Sequence, residues 1–136
     1  WMAAHALGAE GIEMGTRFIA TKECEHATQV YKDALVASSE NDTVVIKRSI
    51  GAPARALKND FTDQILSIEA ETPTYEALKE HISGKANKQY IYEGNAQAGF
   101  GWAGQVTGLI RDVPTVAELI ERMVAEAEQI RLKWGK

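Results

Sequence analysis

The chain is poor in the residues that build covalent and metal-bound frameworks, with one cysteine, three prolines and three histidines in 136 residues. A single Cys24 excludes an internal disulfide and a cysteine-based metal site, and it suits a reducing compartment, so a cytoplasmic location is expected. His5, His26 and His81 have no cysteine, aspartate or second histidine at ligand spacing, so no metal is expected. Basic residues number 15 against 19 acidic ones and are scattered, giving a net charge of −4. That balance argues against nucleic acid as a partner. No apolar run approaches the roughly 20 residues of a membrane span, so no membrane is expected. The first residues lack a basic stretch followed by a continuous apolar one, so no secretory leader is expected.

What is present reads as one ordinary globular domain, helix-rich and α/β in class. Residues 2–7 hold good helix formers and stop at Gly8. Ile12–Met14 reads as a short buried strand, and Gly15-Thr16 as the turn that opens the next helix. Residues 22–38 place Ala27, Val30, Tyr31, Ala34 and Leu35 at the spacing of one buried helical face. The β-branched run inside Asp42–Arg48 predicts an extended segment. Gly51-Ala-Pro53 breaks the chain, after which 54–60 reads as a short helix. Ile65 and Ile68 suit a helix over 61–71, although the pattern there is ambiguous. Thr72-Pro73 reads as a helix start that carries Tyr75, Leu78 and Ile82 and ends at Gly84. Residues 85–99 are polar with turn signals at Gly94-Asn95 and Gly99. Ala103–Ile110 reads as a tightly packed helix. Thr115 and Glu118 make a capping box for a last helix, whose apolar stripe runs through Val116, Leu119, Ile120, Met123, Val124, Ala127 and Ile130.

Three clusters carry chemistry. Met14-Gly15-Thr16 ends a strand at a helix start, where backbone N–H groups can hold a phosphate; an ordinary helix entry is the plainer reading. In Gly99–Gly108, small residues at 101, 103 and 104 surround Trp102 and would let backbone approach a flat ligand, with Gln105 as a donor. Close packing of helices explains the same spacing. In Gly51–Asn59, Arg55 and Lys58 would address an anion or form a solvated basic turn. Cys24 lies between Glu23 and Glu25, which disfavour a thiolate. No nucleophile, base and orienting group stand together, so no catalytic residue is assigned.

In this order the clusters resemble the nitronate monooxygenase family, formerly 2-nitropropane dioxygenases, a pattern shared with enoyl-acyl-carrier-protein reductase II. The resemblance rests on Ala4–Ala20 (AHALGAEGIEMGTRFIA), Glu23–Leu35 (ECEHATQVYKDAL), Asn41–Asn59 (NDTVVIKRSIGAPARALKN), Ala103–Ile110 (AGQVTGLI) and the capped helix after Pro114. It implies the C-terminal part of an FMN-binding TIM (β/α)8 barrel plus a helical segment, the barrel being incomplete in this chain. Residues 1–40 would be the last strand and helix region, 41–100 an extended segment and helical insertion, and 101–136 the C-terminal helices. Glu13, Met14, Gly15 and Thr16 map to the flavin-phosphate site, and Gln105 joins them as a cofactor-binding candidate. Where the family often has glutamine, this chain has Glu13, whose carboxylate repels a phosphate unless it points away; strand alternation puts it opposite Ile12 and Met14.

The resemblance also implies that the catalytic histidine and the other barrel strands precede Trp1, since none of the three histidines matches. The intact enzyme would oxidise an alkyl nitronate with dioxygen, and this chain alone would be inactive and bind FMN weakly or not at all. The expected partners are the nitronate, and a homo-oligomer or a complementing N-terminal chain. Two alternatives stand beside this: a non-catalytic helical module acting by self-association or partner binding, and the reductase branch of the family.

Overall fold

In the computed structural model, which describes residues 1–135, seven α-helices accompany a two-stranded antiparallel sheet. Helices α1 (Met2–Ala6) and α2 (Thr16–Ile19) flank the first turn, and α3 (Gln29–Ala37) follows. Strands β1 (Thr43–Ile46) and β2 (Ala54–Leu57) pair in the register Thr43 with Leu57 through Ile46 with Ala54. Then come α4 (Asp60–Glu71), α5 (Tyr75–Leu78), α6 (Gly84–Ile91), a 3-10 turn at Gln105–Leu109, and α7 (Val116–Trp134).

Two buried clusters hold these elements together. One gathers Ala20, Tyr31, Leu35, Leu57, Tyr90, Ala103 and Ile110; the other gathers Ile46, Ala56, Phe61, Ile65, Leu78 and Phe100. The 54–57 strand contributes Leu57 to the first and Ala56 to the second, so its two faces enter different clusters, which explains why those residues are not helical. Ala, Arg and Leu favour helix only weakly over four residues. Here they gain a ladder with β1 on one side and with the 101–103 stretch on the other. The Leu57 N–H donates to the Gly101 carbonyl at 2.9 Å, and the Ala103 N–H to the Arg55 carbonyl at 3.1 Å. Helix begins only at Asn59, whose side chain accepts from the Thr62 N–H while Thr62 Oγ1 accepts from the Asn59 N–H.

Other expectations shift for equally local reasons. The helix foreseen over 22–38 begins at Thr28, which caps the Tyr31 N–H, and the residues before it form turns. Val30 lies 50% exposed, outside the buried face expected of it. Thr72 closes α4 instead of opening a helix, because its N–H donates to the Ile68 carbonyl at 2.8 Å and Pro73 then prevents continuation. Thr74 supplies the next cap, and Gly84 starts α6 behind the Ser83 cap. Residues 84–91 are therefore helical, and only the later part of 85–99 is loop. Ala103–Ile110 narrows to a 3-10 turn.

Ile12–Met14 is not a strand: it has no regular secondary structure, and no neighbouring segment among the described residues pairs with it. Backbone groups define a strand only in pairs.

The capping box at Thr115 is present in full, with the Glu118 N–H on Thr115 Oγ1 at 3.1 Å and the Thr115 N–H on the Glu118 carboxylate at 2.8 Å. Thr115→Ala is expected to cost about 1 kcal/mol, read as a lower urea midpoint at unchanged slope. Of the apolar stripe on α7, Leu119 and Ala127 are buried, while Ile120, Val124 and Ile130 remain exposed. Together with Trp1, Ile12, Met14, Phe18 and Met123, part of this stripe lines an open apolar cleft of about 310 Å³.

Candidate functional site

The site begins at Gly8, whose φ of 94° gives a left-handed turn that a side chain would strain. The chain then runs without regular secondary structure to Gly15, which caps α2 and accepts from the Phe18 N–H at 3.0 Å. Gly15 is exposed, and a side chain there would meet no atom within 4 Å, so the space beside its Cα is open. Ile12 and Met14 both line the apolar cleft and Glu13 does not, which is the alternation read from the sequence.

The structure joins two clusters that lie far apart in sequence. The Gly104 N–H donates to Thr16 Oγ1 at 2.9 Å, and Gln105 follows immediately, exposed at the start of the 3-10 turn. A hydroxyl has one donor and two acceptor positions. Accepting from Gly104 leaves the Thr16 proton free for another acceptor.

Arg17 anchors the turn from behind. Its guanidinium donates to the Ala20 carbonyl at 2.6 Å and the Asp112 carbonyl at 2.8 Å, and it pairs with the Asp112 carboxylate at 3.6 Å. Its Nε is buried without a partner among the described residues. Burial pushes the Arg17 guanidinium down from its ordinary value, with Asp112 opposing. A hydrogen bond from Arg122 holds the Asp112 carboxyl below the usual carboxylate range, and the Arg122 and Arg17 charges add to it against desolvation. A depressed native pKa contributes stability above the unfolded value and loses it as pH falls through the native one. Asp112→Asn should therefore lower Tm at neutral pH, and the gap to wild type should close below the native pKa of Asp112. A gap independent of pH would remove the charge from the explanation.

At Gly99, Gly101 and Gly108 the glycine run is filled by protein, not opened to a ligand. A Cβ on Gly101 would lie 2.5 Å from Tyr31 Cε2 and 2.7 Å from Tyr90 Cε1, and one on Gly108 would lie 2.6 Å from Glu40 Oε2. Ala103 is buried as well. Close packing is the reason for these small residues, and a flat ligand has no room against Gly101. In the basic turn, Arg55 donates to Thr43 Oγ1 at 3.0 Å and Lys58 is exposed. Lys47, at a left-handed φ of 64°, places its ammonium 5.0 Å from the Trp102 ring.

The contacts of the histidines include neither Gly15-Thr16 nor Gly104-Gln105. His5 Nδ1 lies 3.3 Å from the Ala9 carbonyl, His26 meets Tyr92 edge-on, and His81 packs on Phe61. No group of three potential ligands among the described residues would hold a metal. Sequence reasoning overlooked Asn59, Asn87 and Tyr31 as polar tethers; the Asn59/Thr62 spacing was the one local signal available for them.

The helix-rich α/β chain with this turn matches the nitronate monooxygenase family over residues 2–126, and it belongs to that family. A probable nitronate monooxygenase of Staphylococcus saprophyticus is 36% identical over 129 residues, covering 95% of this chain and 36% of its own length. A second, from Staphylococcus aureus, is 30% identical with the same coverage. FabK from Thermotoga maritima superimposes with a TM-score of 0.88 at 34% identity, over 98% of this chain and 42% of that one. The chain thus spans 36% of the length of these curated relatives. No helix among the described residues is long and apolar enough to cross a membrane.

Proposed function

We propose that this chain carries the flavin-phosphate turn and helical segment of an FMN-dependent oxidoreductase, and that the whole enzyme oxidises alkyl nitronates with dioxygen. The observation behind this reading is the junction of Gly15-Thr16 with Gly104-Gln105 through one hydrogen bond. The residues fit a phosphate: Gly15 is exposed with open space beside its Cα and the Thr16 proton is free, while Glu13 is exposed and stands off the face that Ile12 and Met14 share. Gly15 and Thr16 would hold the phosphate, Met14 would adjoin it from the apolar side, and Gln105 would donate to a ring carbonyl or to the phosphate. FMN, when bound, supplies the redox chemistry, and the protein supplies position. The contacts of the three histidines, to Ala9, Tyr92 and Phe61, include neither Gly15-Thr16 nor Gly104-Gln105, none is assigned as a base, and the chain by itself is expected to be inactive.

In the whole enzyme Ile12–Met14 would be the last strand of a TIM barrel, paired with strands that this chain does not supply. The unpaired backbone of Ile12–Met14 and the apolar cleft beside it fit a complementing N-terminal chain, or a second copy in its absence. A cytoplasmic setting accords with the lone, half-buried Cys24. FMN added to the purified chain should bind weakly; a stoichiometric yellow complex at micromolar concentration would contradict this. Joined to the upstream part of the Staphylococcus saprophyticus relative, the chain should retain FMN and take up oxygen when an alkyl nitronate is added. Failure to retain flavin would sink the proposal. The overlap with FabK favours a second reading, the reductase branch, which oxidation of a nicotinamide by an enoyl thioester in the same joined protein would reveal.

A further inference from the structure

The segment 96–104 is held by side chains from four separate elements, each bonded to a different backbone group along it. The Asn59 amide donates to the Ala96 carbonyl at 3.3 Å and the Gly99 carbonyl at 3.0 Å. The Asn87 amide donates to the Phe100 carbonyl at 2.8 Å, and the Tyr31 hydroxyl donates to the Trp102 carbonyl. Backbone bonds to β2 fill the places between, at Gly101 and Ala103. The next polar group along the strap is the Gly104 N–H, and it is the one that meets Thr16.

We infer that Asn59, Asn87 and Tyr31 are positioning residues for the Gly15-Thr16 turn, acting through this strap and the Gly104 amide. The inference rests on the phosphate reading of that turn. Each bond fixes one peptide of an otherwise irregular stretch, and a hydroxyl is oriented only as well as the donor it accepts from is fixed. Burial keeps the Tyr31 phenol well above its ordinary pKa, with Tyr90 and Cys24 adding to the shift, so it remains a donor at any physiological pH. Asn59 is the sharpest probe because its two ends do different work. Its oxygen caps α4 while its amide holds the strap.

Asn59→Asp keeps the capping oxygen and removes the donor to the strap. In the full chain, hydrogen exchange by NMR should show the Gly104 amide exchanging roughly tenfold faster, with Thr62 and Leu119 amides unchanged. Thr16→Val should expose the same amide directly, and Thr16→Ser should restore it. Asn87→Asp serves as the second variant should Asn59→Asp fold poorly. Unchanged exchange at Gly104, or a uniform loss of protection that includes α7 in both variants, would overturn the tether. The phosphate reading is checked separately by titrating millimolar FMN and riboflavin into the chain. Gly15 and Thr16 amide shifts should respond to FMN alone, and about tenfold less tightly in Asn59→Asp. A loosened Gly104 with no FMN-specific shift in wild type would overturn the phosphate reading and leave the tether standing.

Discussion

Replacing Gly99 with alanine should destabilise the protein by about 3 kcal/mol, a large share of a small domain's total stability. The added Cβ would lie 2.0 Å from the Ala86 carbonyl oxygen and 3.0 Å from the Tyr90 nitrogen. Both atoms belong to the backbone of α6, so no rotamer change relieves the collision. The strap must lift off α6, and in lifting it strains the bonds from Asn59 to the Gly99 carbonyl and from Asn87 to the Phe100 carbonyl. Urea denaturation followed by circular dichroism would register the loss as a lower midpoint. A variant as stable as wild type would mean that the strap does not cross α6 at this point. Gly15→Ala is the informative contrast, since its surroundings are open and stability should hardly change.

Phe100→Ala is expected to be at least as damaging, at about 3–5 kcal/mol, because it empties the centre of a core. Phe100 is fully buried, stacks on Phe61 at 6.3 Å and meets the Trp102 edge at 4.8 Å. Its neighbours in that cluster, Ile46, Ile65 and Leu78, come from β1, α4 and α5, so one cavity loosens three elements at once. Phe100→Leu should recover most of the loss. Thermal unfolding monitored by tryptophan fluorescence reads both variants, and equal melting temperatures for Ala and Leu would argue against a packing origin.

Much of the local structure was legible because its causes are local. The Thr115/Glu118 box closes within one turn, and the Thr-Val-Val-Ile run is extended as β-branching predicts. Gly8 marks a left-handed turn next to the end of α1. Where reading failed, the deciding partner was distant. Ala54–Leu57 has helix-forming residues, yet it pairs with β1 and with residues around Trp102, about fifty positions on. Ile12–Met14 has strand composition without a ladder. The apolar stripe on α7 was read correctly as a pattern, yet a stripe does not say how much of it a chain will cover.

The candidate site divides in the same way. Met14-Gly15-Thr16 and the family resemblance are visible in residue order, since a turn before a helix and a motif are properties of neighbours. That Gly101 and Gly108 serve packing, and that Gly104 serves Thr16, is not, because a glycine looks the same whatever approaches it. By itself the sequence determined the Thr115/Glu118 cap, the β-branched strand, the family and the residues at the turn, all set by chemistry within a few positions. The tertiary structure decided which segments became sheet, which apolar faces stayed open, and that Thr16 meets Gly104. Those outcomes depend on contacts between distant residues, whose energies no local stretch of chain contains.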